Sequence, residues 1–118
     1  MLLSGKYPKG AGIYMVKNLL NGKFYIGASN CVYQAVLNHK SELNRGRSRS
    51  QSMQSEWNKY GEQAFAFITL ETCHISMLKV REEEWLKKAK VEKSEVAYNK
   101  SYRGYNYNTR MMKQLGYK

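Results

Sequence analysis

The chain has 118 residues, 42% of them apolar and 25% charged, with a formal net charge of +11. This is the profile of one soluble globular domain with a core of its own. Two cysteines (Cys31 and Cys73), no apolar run of about 18 residues and no apolar stretch near Met1 exclude a disulfide framework, a cysteine zinc site, a membrane span and a secretory signal.

Residues 12–28 read as a β-hairpin. Ile13 and Met15 alternate with Tyr14 and Val16, and Phe24 and Ile26 alternate with Tyr25 and Gly27. Asn21-Gly22 predicts a type I′ turn between the strands, because both central residues of that turn need positive φ. Strand alternation then lets Tyr14 and Tyr25 share one face. Residues 30–44 read as a helix with Asn30 as N-cap and a stripe of Val32, Val36, Leu37 and Leu43. Ala35 and His39, four apart, project together. Residues 45–52 form a basic, Ser-rich loop carrying Arg45, Arg47 and Arg49. A second helix is predicted over Gln51–Tyr60, ended by Gly61, and a third strand over residues 64–71. Residues 75–90 read as a helix with Leu78, Glu82 and Trp85 on one side. The order β-β-α-α-β-α predicts an α+β domain: a small, mostly antiparallel three-stranded sheet flanked by helices. Residues 1–100 form the domain, and 101–118 a basic Tyr/Asn-rich tail.

Gly12-Ile13-Tyr14, ten residues, then Tyr25-Ile26-Gly27 resembles the GIY-YIG nuclease superfamily. The resemblance continues through His39, the stretch Trp57-Asn58-Lys59-Tyr60-Gly61, Phe65 and Phe67, Arg81-Glu82 with Trp85, and Tyr98-Asn99. It is closest to phage and mobile-element homing enzymes, which implies a phage or bacterial cytoplasmic setting. It also implies hydrolysis of a DNA phosphodiester with one divalent metal ion, Mg²⁺. Charge gathers on the phosphoryl oxygens in the transition state, so metal and cationic donors must stand where it develops. By resemblance, Glu82 holds the metal, a hard oxygen donor for an ion that keeps several waters. Glu83 and Glu84 beside it read as solvated. Tyr14 helps deprotonate the attacking water, and Tyr25 positions the water or phosphate. Since tyrosine's ordinary pKa is about 10, such a base needs a network that favours the phenolate. His39 and Lys23 are the candidates for that network. Asn99 holds the scissile region or the metal's water shell, with Asn106 a competitor. His74 sits in no motif.

One position departs from the pattern. The family's catalytic Arg falls at Ala35, and loss of one such donor costs on the order of 10²–10³ in rate. This implies an endonuclease impaired at a single position, since Tyr14, Tyr25, His39, Glu82 and Asn99 all remain. The alternative is a non-catalytic, basic DNA-binding protein derived from the same fold.

Twenty Lys+Arg against nine Asp+Glu point to a polyanionic partner. Double-stranded DNA fits best, contacted by Arg45, Arg47 and Arg49 in the loop and by Arg103, Arg110 and Lys113 in the tail. A membrane partner is disfavoured, because no basic helix carries a Trp/Phe/Leu face. Both a monomer and a homodimer remain open. A basic α+β domain binding RNA or protein is a third reading, and it leaves the two triplets unexplained.

Overall fold

A computed structural model describes residues 2–4, 10–89 and 97–98, with Leu2–Ser4 given as backbone alone. The elements are β1 (Leu2–Ser4), β2 (Gly12–Asn18), β3 (Phe24–Ser29), α1 (Val32–Asn44), α2 (Gln51–Tyr60), β4 (Phe65–Thr72) and α3 (Leu78–Lys88). Short 3₁₀ turns at Glu62–Ala64 and Ile75–Met77 lead into β4 and α3. The sheet order is β1-β4-β2-β3. The antiparallel trio β4-β2-β3 is the expected three-stranded sheet, and β1 adds a parallel strand along β4 that sequence reading does not anticipate. Three residues are too few to show a period.

Strand alternation divides the core in two. One face carries Tyr14, Val16, Phe65 and Phe67, covered by Val32, Val36 and Leu43 of α1 and Met53 and Trp57 of α2. Trp57 packs on Phe65 with ring centroids 5.2 Å apart. The other face carries Ile13, Ile26 and Ala28, covered by Leu78 and Leu86 of α3. Between Ile13 and Tyr14 the register against β4 shifts by one residue. Ile13 pairs with Glu71 and Tyr14 with Thr69, leaving Leu70 as the extra residue of a bulge.

Three local expectations are corrected. The hairpin does not close on a two-residue turn. Asn18 N–H donates to the Lys23 carbonyl (2.7 Å), so Leu19–Gly22 form a four-residue loop, with Gly22 N–H on the Asn18 carbonyl (2.8 Å) and Gly22 at φ +77°. Asn30 does not cap α1; Cys31 occupies the cap position without a side-chain bond. The entry is held instead by Ser29, whose Oγ accepts from Cys31 N–H (3.0 Å), and by Val32 N–H donating to the Gly10 carbonyl (3.1 Å). Leu37 is 44% exposed, and Ala35 takes its place on the buried face of α1. The second helix matches its expected bounds. Ser50 caps it, its Oγ accepting from Met53 N–H (3.1 Å), and Gly61 ends it at φ +86°, ψ 163°, backbone angles open chiefly to glycine. Among the described residues, no helix is long and apolar enough to cross a membrane.

Candidate active site

Tyr14 and Tyr25 point to the same side of the sheet, as alternation requires, with ring centroids 6.4 Å apart. The Tyr14 ring is 2% exposed and stacks on Phe67 at 4.9 Å and 20°. Its hydroxyl lies 2.7 Å from His39 Nε2, and His39 stands 5.5 Å from the Tyr25 ring. One phenol is thus buried and held from two sides, while the other is half-buried beside it.

Both motif glycines have a steric reason. Gly27 pairs directly with Tyr14 across the β2–β3 ladder. A Cβ there would lie 2.5 Å from Tyr14 Cζ and overlap the hydroxyl. The absent side chain is the space the tyrosine fills. A Cβ on Gly12 would meet the Glu71 carbonyl oxygen at 2.5 Å and Val32 Cγ2 at 3.0 Å, so Gly12 lets β4 and α1 close on β2.

The tyrosines open into a cavity of about 380 Å³ between β3, α1 and the loop before α2. Ala35, His39 and Glu42 line it from one face of α1. Ser48, Arg49 and Ser50 line it from the loop. The Ala35 position therefore faces the cavity, and a longer cationic side chain there would enter it. Glu42 was not among the sequence candidates, although its place three residues after His39 puts it on that helix face.

The other candidates fall differently. Glu82 is 6% exposed on the sheet side of α3, between Leu78 and Leu86. It does not line the cavity. Ala28 of edge strand β3 does line it, and also packs in the apolar cluster of Leu78 and Leu86. Trp85 faces Glu71, donating from Nε1 at 2.8 Å, while Arg81 donates to the same carboxylate from Nε (2.7 Å) and Nη2 (2.8 Å). Arg45 and Arg47 are exposed and do not line the cavity. Asn99, Arg103, Asn106, Arg110 and Lys113 lie outside the described residues.

Lys23 does not join the tyrosine network. Its Nζ sits 3.1 Å from Glu56 Oε2 on α2. Glu56 Oε1 accepts from Asn18 Nδ2 and Asn21 Nδ2, both at 3.0 Å, and from the Tyr98 hydroxyl. Burial alone would raise the Glu56 carboxyl, but hydrogen bonds from Asn21, Tyr98, Lys23 and Asn18 outweigh it and hold the group down at about 2. Burial, and then the bond to Glu56, push the Tyr98 phenol well above its usual range. This cluster ties the hairpin loop and Tyr98 to α2. Nothing in the sequence singled out Glu56, because its partners come from three separate segments.

Residues 10–99 match the family model of the GIY-YIG catalytic domain, and the chain belongs to that family. Its class is that of the GIY-YIG endonucleases. Two solved structures are similar. One is the catalytic domain of the homing endonuclease I-TevI, at 29% identity and a TM-score of 0.66, over 74% of this chain and 96% of that one. The other is a point mutant of the catalytic domain of intron endonuclease I-TevI, at 28% identity and 0.68, over 77% and 93%. No curated protein sequence matches the chain.

Proposed function

We propose that the chain hydrolyses phosphodiester bonds of double-stranded DNA with Mg²⁺, slowly, because Ala35 leaves the helix wall of its site without an arginine. The observation that carries this is the buried Tyr14 hydroxyl, 2.7 Å from His39 Nε2, at a cavity that Tyr25 and Ala35 also line.

A water attacks phosphorus opposite the leaving oxygen, and the bond to that oxygen breaks. Tyr14 takes the water's proton as its own passes to His39 Nε2, so the phenol need not ionise in isolation. Tyr25 orients the water or a phosphoryl oxygen. Solvent protonates the departing oxygen. The residues present fit a divalent ion in one respect only: Glu82, the carboxylate the family resemblance assigns to it, would offer a hard oxygen but lies outside the lining of the cavity, and Mg²⁺ accepts a single carboxylate when water and phosphate oxygens complete its shell. Among the described residues no group of three or more His, Cys, Asp or Glu could hold a metal without the substrate. When bound, the ion supplies Lewis-acid stabilisation of the charged phosphoryl group.

The second reading is a DNA-binding protein without catalysis, favoured by the missing arginine. The Ala35→Arg variant separates the two. With Mg²⁺ and supercoiled plasmid carrying random inserts, it cleaves on the order of 10²-fold faster than the unaltered chain. If both proteins leave the plasmid intact while binding it in a gel shift, the binding reading stands and the nuclease reading falls.

A further inference from the structure

Among the described residues, the helix wall of the cavity carries no arginine or lysine, but the loop wall does. Of the described residues lining it, Arg49 alone is an arginine or lysine. Among the described residues its guanidinium takes part in no hydrogen bond or ion pair. Arg45 and Arg47, on the same basic stretch, do not face this space.

The loop presenting Arg49 is braced on both sides. Gln54, 9% exposed, donates from Nε2 to the Leu43 carbonyl (2.8 Å) and accepts at Oε1 from Ser48 N–H (3.0 Å). One amide thus joins the last turn of α1 to the residue before Arg49. On the other side Ser50 caps α2, and its own N–H donates to Ser48 Oγ (3.2 Å). Arg49 therefore stands between two residues fixed by the helices that wall the cavity. A guanidinium so placed offers a fork of N–H donors to phosphate oxygens.

We infer that Arg49 is the phosphate-binding cation of this site, supplying from the loop the transition-state charge that position 35 does not supply from the helix. The inference rests on the endonuclease reading. It separates Arg49 from Arg45 and Arg47, whose role on DNA is backbone attraction alone.

The test compares the unaltered chain, Arg49→Ala, Arg45→Ala, Ala35→Arg and the Ala35→Arg/Arg49→Ala double variant. Cleavage of supercoiled plasmid with random inserts is followed under single turnover with Mg²⁺, with DNA affinity measured in parallel and thermal melts confirming the fold. Arg49→Ala slows cleavage on the order of 10²-fold. Arg45→Ala slows it only as far as its weaker DNA binding explains, whereas the slowing by Arg49→Ala far exceeds what its similar, small loss of affinity explains. Adding Arg49→Ala to Ala35→Arg costs less than about tenfold, because the helix arginine then supplies the charge. Equal slowing by Arg49→Ala and Arg45→Ala overturns the inference and leaves the endonuclease reading intact. An unaltered chain that never cuts while Ala35→Arg does also overturns the inference, together with the slow hydrolysis proposed for the unaltered chain. If neither cuts, both readings fail together.

Discussion

The steric demand at Gly27 ties a motif residue to the position of the tyrosine proposed as the base. Tyr14 fills the place where a Cβ would stand, so Gly27→Ala must displace the ring that reaches His39. Overpacking of this kind costs about 1–3 kcal/mol. The loss of cleavage should exceed what the lowered stability explains, because the phenol leaves its 2.7 Å contact while most of the core is untouched. Gly12→Ala meets the backbone of β4 instead and should lower the melting temperature as its main effect. Single-turnover rates and thermal melts on both variants check the contrast; a Gly27→Ala protein cleaving within threefold of the parent would show that Tyr14's seat is not needed for chemistry.

The Glu56 cluster shows how elements are joined by charge as well as by apolar packing. Its carboxylate on α2 holds the β2–β3 loop through Asn18, Asn21 and Lys23, and the chain near Tyr98 through the phenol. The carboxyl is lowered from 4.5 to about 2, so the folded protein binds its proton less tightly than the unfolded chain. Its contribution is then complete above pH 4.5 and fades as pH falls toward 2. Glu56→Gln should destabilise by about 1–3 kcal/mol at neutral pH, since it weakens several bonds to a charged acceptor. The difference in denaturant midpoint between variant and parent should shrink on acidification; a gap that is constant from pH 7 to pH 3 would show that the charge plays no part. The legibility of the elements follows the same division. α2 could be placed closely because its stop, Gly61, is a local signal, as are its cap Ser50 and the Met53/Trp57 spacing that the structure shows buried. The hairpin turn type, the start of α1 and the partner of Lys23 could not, because Gly10 and Glu56 act through space and Ser29 competes locally with Asn30 at the start of α1. For the same reason both tyrosines could be placed on one face from alternation, whereas the alignment of Arg49 with the cavity depends on Gln54 bridging two helices.

For the molecule as a whole, a net charge of +11 on a domain of 118 residues sets the terms of approach to DNA. If about six phosphates are neutralised, the logarithm of affinity should fall against the logarithm of salt with a slope of roughly −5. A gel-shift titration giving a slope shallower than about −2 would place the basic residues off the DNA surface. One cavity pairs with one scissile phosphate, so nicked circles should accumulate before linear product in a plasmid time course. The Tyr14–His39 contact is set before DNA arrives: Tyr14, Phe67 and His39 already touch in the protein alone. A target is therefore not refused by failure to form this contact, as it can be in enzymes that close around the correct substrate. Discrimination among sequences is left to residence time on the duplex, and the frequency of cutting at any locus should track how long the protein stays there.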